Sequence, residues 1–360
     1  MPTTEESPHN PLIKHIYTAD PSAHVFNGKL YIYPSHDIDT GIESNDNGDQ
    51  YDMNDYHVFS IDSLSPLSTG NEEVKVKDHG VVLSLPDVPW ASKQLWAPDA
   101  AFRDGKYYLY FPARDTEGRF RVGVAVSMNP EGPFRAERAY LGGSYSIDPA
   151  VFIDDVPSRD KEREGWDSDR DGDGKEAYIY FGGLWGGQLE KYTPSNDPDS
   201  DGGWKFNAAG EEPSSPSTPA LGPRVAKLSR DMLSLASPVK EITILDESRH
   251  PIASTDHSRR FFEASWLHKY AGVYYFSYST GDTHYLVYAT SSSPWGPFMY
   301  RGRLLEPVLG WTTHHSIVEF EGRWWLFYHD CEISNGVSHL RNVKVREIEY
   351  LSGGEMVLVD

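Results

Sequence analysis

Cysteine is all but missing from this chain. Cys331 stands alone, so no intrachain disulfide can brace the fold, which fits a reducing compartment. Basic charge is scarce too: 33 Lys and Arg face 54 Asp and Glu, a formal net charge of −21. Nucleic acid and anionic membrane surfaces both demand a basic footprint, so neither is an expected partner. A neutral polar partner such as a sugar suits the charge better. No apolar run reaches the ~18 residues of a membrane-spanning helix. Residues 1–10 lack the basic and apolar regions of a secretory signal, so the expectation is a cytoplasmic location or, as the alternative, a signal already trimmed away. There is no sustained 3.6-residue apolar stripe, so helix is expected to be minor.

What the chain does have is a recurring aromatic phrase. It occurs at residues 25–33 (VFNGKLYIY), 101–110 (AFRDGKYYLY), 175–181 (KEAYIYF), 267–276 (LHKYAGVYYF) and 318–327 (VEFEGRWWLF). Each copy reads as a strand end, a tight turn and an aromatic strand with period-2 alternation. Four copies put Gly in the turn, where a positive φ costs it little. The third copy has a long acidic insert instead. A second phrase follows each copy, at residues 56–62, 122–127, 224–229, 285–290 and 343–348, and reads as a third strand. Two of these lead into near-identical turns, 129–134 (NPEGPF) and 293–298 (SPWGPF). Five strand-only units in the same internal order predict an all-β, five-bladed β-propeller, a single domain over residues 1–360 with an N-terminal extension at 1–14. The blades fall at about 15–90, 91–145, 146–250, 251–310 and 311–350. Blade three carries two inserts, about 154–174 and 193–223, and the second, rich in Pro, Ser, Asp and Gly, reads as an irregular surface loop. Within the first, Asp169, Asp171 and Asp173 precede Gly174 like the first half of a calcium loop. The twelfth position would be Tyr180 rather than a bidentate Glu, so an acidic hairpin tip is the expected reading.

In a propeller the innermost strand of each blade lines the axis, and residues near its start open into a shared pocket. Counting back eight or nine residues from the turn glycines reaches Asp20, Trp96, Glu263 and His314, and Asp148 sits in blade three as Asp20 does in blade one. Three carboxylates thus converge from equivalent positions. Converging carboxylates suit glycoside hydrolysis, in which one must stay protonated and another ionised. Asp before Pro is also an ordinary turn signal, and scattered carboxylates are usually solvated, but a bare Glu263 between Phe262 and Ala264 is costly to bury without a function.

At these residues the chain resembles glycoside hydrolase family 43, the five-bladed propeller enzymes that cleave xylose- and arabinose-containing sugars. The resemblance is carried by residues 18–22 (TADPS), 96–99 (WAPD), 146–150 (SIDPA), 262–265 (FEAS) and 313–316 (THHS), in that order and blade phase. It implies a catalytic set of Asp20 as general base, Glu263 as general acid and Asp148 as the residue that tunes and orients the acid, in a single inverting displacement. It implies that Arg341 reaches the sugar or the base, and that His314 associates with a divalent cation on the propeller axis, usually calcium, often through water. Trp96 is expected to form an apolar wall for the sugar, and Trp185, among the glycines of residues 182–187, to line the pocket. No organic cofactor is implied. The implied activity is release of terminal β-D-xylose from xylo-oligosaccharides, with α-L-arabinofuranosidase activity beside it. An arabinofuranosidase or arabinanase stays open as an alternative, as does a non-catalytic carbohydrate-binding propeller, although such a propeller would be expected to have lost a carboxylate. Many members add a β-sandwich that closes the pocket. Here closure is expected from the loop at 38–55, from the blade-three inserts or from a second subunit of a homo-oligomer, if at all.

Overall fold

The computed structural model describes residues 11–69, 73–155, 174–197, 200 and 202–359, and in it five antiparallel sheets form the blades of a β-propeller. Blade one consists of Tyr17–Phe26, Lys29–Asp37, Asp55–Ile61 and Val76–Ser84, from the axis outward. Blade two is Asp99–Arg103, Lys106–Asp115, Phe120–Ser127 and Arg135–Ala136, with Ala91–Lys93 added along its second strand. Blade three is Ala150–Asp155, Lys175–Phe181, Arg224–Lys227 and Lys240–Glu241. Blade four is Glu263–Tyr270, Val273–Ser279, Leu286–Ser291 and Phe298–Leu305, and blade five is His315–Phe320, Arg323–Asp330, Asn342–Tyr350 and Met356–Leu358. Among the described residues the α-helix is a single short piece, Ser65–Thr69.

The inner hairpins follow from their two-residue turns. Asn27-Gly28, Asp104-Gly105, Ala271-Gly272 and Glu321-Gly322 each have positive φ at both positions, between 48° and 81°. That is the type I′ turn, whose twist matches that of the flanking strands. Gly at the second place removes half the strain that an L-residue pair would carry there. Alternation then sends Tyr and Phe into the layers between blades. Blades one and two share a core around Tyr31, Tyr33, Leu109 and Phe111, and a second core spans blades two to five. The ring closes where blade one meets blade five: Ile13, Leu30, Ile32 and Phe59 pack with Trp325, Phe327, Val343 and Val345. Backbone bonds from Leu12 to Val343 and from Thr18 to Arg341 fasten the seam. The two matching Gly-Pro turns serve one purpose. Tyr33 donates to the Pro130 carbonyl and Tyr180 to the Pro294 carbonyl, both at 2.7 Å, so each turn accepts a hydroxyl from the preceding blade.

Two expectations need correction. Ile244–Leu245, inside the span expected for blade three, pairs in parallel with Phe298–Met299 and belongs to the sheet of blade four. The second insert is not wholly irregular. Tyr192–Pro194 and Trp204–Phe206 form a ribbon, because Tyr192 stacks on Tyr145 at 4.2 Å and Trp204 is buried beside it under the Arg224 guanidinium. These aromatics bury area that a Pro- and Ser-rich composition conceals. Asp169, Asp171 and Asp173 lie outside the described residues.

Candidate active site

Near the starts of the inner strands the sheets are interrupted in related ways. In blade one the register shifts between Ala19 and Ser22, and in blade four between Glu263 and Trp266. Both are bulges, which re-aim side chains. Asp20 lies in the first, with φ 48°, and Glu263 borders the second, whose Ala264 has φ 63°. Asp148, with φ 56°, precedes the inner strand of blade three. Such conformations are costly for non-glycine residues and collect at functional sites.

The result is one cavity of about 560 Å³. Asp20, Asp148, Glu263, Trp96, Trp185, His314 and Arg341 all line it, so the seven residues singled out from the sequence do converge. The loop at 38–55 contributes Asn45, Gly48, Tyr51 and Met53 to the wall. The second blade-three insert stands behind it: Glu212 accepts the Trp185 indole N–H at 3.0 Å and pairs with buried Arg260. Gly48 matters sterically, since a Cβ there would sit 2.6 Å from the Trp96 ring, at a φ of +73°. Trp96 itself is fixed by donating to the Tyr51 carbonyl at 2.7 Å and by packing on Phe120 at 4.4 Å. Trp185 meets Phe262 edge-on and Trp311 at 5.9 Å, so Trp311 adds an aromatic wall that the repeats did not flag.

Asp20 occupies a polar cradle. Its carboxylate accepts from Arg341 at 2.9 Å and from the Ser35 hydroxyl at 2.7 Å. Arg341 is buried and also makes a two-pronged contact to Asp37, at 2.7 and 2.8 Å. His329 donates from Nε2 to the Thr312 carbonyl and accepts the Asp20 backbone N–H at Nδ1, which fixes its tautomer. Burial depresses the pKa of His329 to about 3, so it is neutral. Burial is the largest single influence and would raise the Asp20 pKa, but Arg341, the imidazoles of His329 and His314 and the Ser35 hydroxyl together outweigh it, and the carboxyl is held at about 2. Arg341 therefore reaches the proposed base, one of the two roles the resemblance allowed it.

Glu263 is the opposite case. It is half-buried, and its carboxyl has no hydrogen-bond partner among the described residues. Burial and then the nearby Asp20 charge push its pKa up to about 8, against weaker pulls from Arg341 and Arg260. Asp148 is buried and raised to about 7, first by burial and then by the charges of Glu263 and Asp20. Its Oδ2 accepts the N–H of Ala264 at 2.7 Å, which anchors the residue next to Glu263. The two raised carboxyls are coupled. Asp148 has a backbone donor for a negative charge and Glu263 has none, so the charge settles on Asp148 and Glu263 keeps the proton. His314 lies between the halves, its Nδ1 3.8 Å from Asp20 and 3.7 Å from Asp148.

Asp37, Ser35, Thr312 and His329 escaped the sequence reading. Ser35 and Asp37 continue the alternation of Tyr31 and Tyr33 on one buried strand face, and that switch from aromatic to polar was the available signal. His314 supplies one nitrogen, and no three-ligand cluster among the described residues contains it. Calcium takes six to eight oxygens, so the donors here fit a cation carried mostly by water and not one caged by protein oxygens.

The family model for glycosyl hydrolases family 43 matches residues 8–159 and 199–355. The chain is 64% identical over 348 residues to xylosidase/arabinosidase 43A of Humicola insolens, covering 96% of this chain and 98% of that protein. It is 52% identical over 344 residues to a xylosidase/arabinosidase of Bacteroides ovatus, covering 96% and 95%. A crystal structure of a family 43 β-xylosidase/α-arabinofuranosidase from a compost microbial metagenome, in complex with xylotriose and in calcium-free form, superposes with a TM-score of 0.84 at 55% identity, covering 97% of this chain and 96% of that one.

Proposed function

The chain belongs to glycosyl hydrolase family 43, and from that premise we propose that it is an inverting, exo-acting β-xylosidase that also accepts terminal α-L-arabinofuranose. The observation that carries the chemistry is a pair of carboxyls in one cavity with opposite shifts, Asp20 at about 2 and Glu263 at about 8. Over the range between them one is ionised and the other protonated, the division of labour that hydrolysis of a glycosidic bond requires. Xylose and arabinose units are supported as substrates by the two xylosidase/arabinosidase relatives and by the xylotriose bound to the similar structure.

In this reading a water attacks the anomeric carbon as the bond to the leaving oxygen breaks. Asp20 takes a proton from the water, and the proton on Glu263 moves to the leaving oxygen. Arg341 keeps Asp20 ionised and aimed. Asp148 places Glu263 through the Ala264 N–H and adds negative charge nearby. Trp96, Trp185 and Trp311 offer flat apolar faces that sugar rings favour and displace water from around the reacting centre. A hydrated divalent cation beside His314, calcium in the first instance, belongs to the same proposal, supported by the calcium-free designation of the similar structure. It would add positive charge near Asp20 and Asp148, and none of the proton movements above passes through it.

Hydrolysis of an aryl β-D-xylopyranoside and an aryl α-L-arabinofuranoside tests the assignment. Turnover of both, with the xyloside faster, is expected. Dominance of the arabinoside would make the protein an arabinofuranosidase, and turnover of neither would point to an endo-acting arabinanase or a carbohydrate-binding propeller.

A further inference from the structure

Outside the cavity, blade one assembles a second cluster of functional side chains. His36 is the penultimate residue of the second strand, and Asp55 and His57 lie at the start of the third. The His36 Nδ1 lies 2.6 Å from the Asp55 carboxylate, and the His57 Nε2 lies 4.0 Å from the same oxygen. The imidazoles stand 4.9 Å apart, and all three side chains are partly shielded, at 17%, 26% and 13% exposure. None of the three lines the catalytic cavity. They form the one group of three or more metal-type ligands found among the described residues.

We propose that His36, Asp55 and His57 form a binding site for a zinc-class divalent transition metal, separate from the cation beside His314. Three features carry this. First, Asp78 engages His57 at Nδ1, 3.0 Å away, and itself accepts the Gly80 N–H. A neutral His57 then donates from Nδ1 and turns its Nε2 lone pair toward Asp55. A carboxylate holding the far nitrogen of a ligating histidine is the usual support of a zinc-type ligand. Second, the Nε2 of neutral His57 and the Asp55 oxygen are both acceptors, so at 4.0 Å no proton joins them. A tetrahedral metal with bonds of 2.0–2.1 Å spaces its ligands about 3.3 Å apart, so binding would close this pair by under 1 Å, open His36 Nδ1 from Asp55 by about as much and release the proton those two share at 2.6 Å. Third, two imidazoles and one carboxylate suit zinc, cobalt or nickel rather than calcium or magnesium, and leave a position open to water.

The placement gives the site a consequence. His36 and Asp55 flank the loop whose residues Asn45, Gly48 and Tyr51 wall the cavity. His36 also lies between Ser35 and Asp37, which hold Asp20 and Arg341. A metal joining the two strand ends would clamp the stem of that loop.

The test is a titration of chelator-stripped protein with Co2+, read by visible absorption, and with Zn2+, read by calorimetry, followed by amide hydrogen exchange of the loop. We expect one site that excess Ca2+ does not displace and that slows exchange across residues 38–54. His57→Gln should weaken it at least 100-fold, and Asp78→Asn 10–100-fold as for other outer-shell partners. His314→Gln should leave it intact. Melting curves of the metal-free variants establish that they fold, and His36→Gln replaces His57→Gln if that variant does not. The proposal is overturned if the parent binds no Co2+ at millimolar concentration, or if folded His57→Gln or His36→Gln binds it as the parent does.

Discussion

The two sides of the cavity treat a carboxyl group in opposite ways. Asp20 and Glu263 both face the same space, and burial raises the pKa of each. At the seam of blades one and five, a serine hydroxyl from blade one and a buried arginine and oriented neutral histidine from blade five answer this, and the charge of Asp20 is kept. Blade four gives the Glu263 carboxyl no donor, and the proton is kept instead. The contrast shows that depth does not separate the acid from the base. The position of Arg341 does, and Arg341 stays where it is because Asp37 neutralises its other edge.

Breaking either side should have the largest effect. Asp20→Asn and Glu263→Gln are each expected to lower kcat/KM on xylobiose about 10²–10⁴-fold, the usual contribution of a general acid or base, with unchanged far-ultraviolet circular dichroism. Glu263→Gln should lose much less on an aryl xyloside, whose leaving group needs little protonation, whereas Asp20→Asn should lose on both. Next comes the support of the base. Asp37→Asn leaves the Arg341 charge partly uncompensated in a buried site and is expected to cost about 3–5 kcal/mol in denaturant unfolding, with a loss of kcat larger than any change in KM. A smaller effect sharpens the comparison through stability. The folded-state pKa of Glu263 lies above its unfolded value, so the folded state binds the extra proton, and stability falls as pH rises from about 4.5 to about 8. Glu263→Gln removes that slope, and its melting temperature should gain on the parent's as pH rises through this window. Asp20 works with the opposite sign: its contribution is present above about pH 4 and is lost as pH falls toward 2. Gly48→Ala, which presses a methyl group into Trp96, should raise KM several-fold with a lesser change in kcat.

Much of this was legible in the sequence because a propeller repeats itself. The hairpin phrase recurs with its Gly turn, so one strand assignment corrects another, and equivalent positions expose Asp20, Asp148 and Glu263 together. What repeats poorly was lost. Asp37 meets Arg341 across 304 residues of chain, at the seam between the first and last blades, and no local pattern links them. Ile244–Leu245 crosses to the sheet of blade four because its partner Phe298 follows the third strand of that blade, and a two-residue parallel pairing leaves no periodicity to read. The insert ribbon is held by Tyr145, from the segment leading into blade three, and by Arg224 of its third strand, not by its own composition. Trp311 was passed over because an aromatic residue in an aromatic-rich chain reads equally well as core.

The most direct test is the pH dependence of kcat/KM on xylobiose, whose leaving sugar needs the acid's proton, for the parent and Glu263→Gln, since this quantity reports ionisations of the free enzyme. Retention of the proton by Glu263 predicts that the parent loses activity on the alkaline side, with a midpoint near 8, and that this limb disappears in the variant. An alkaline limb that persists unchanged in Glu263→Gln would contradict the account and assign the proton to another group.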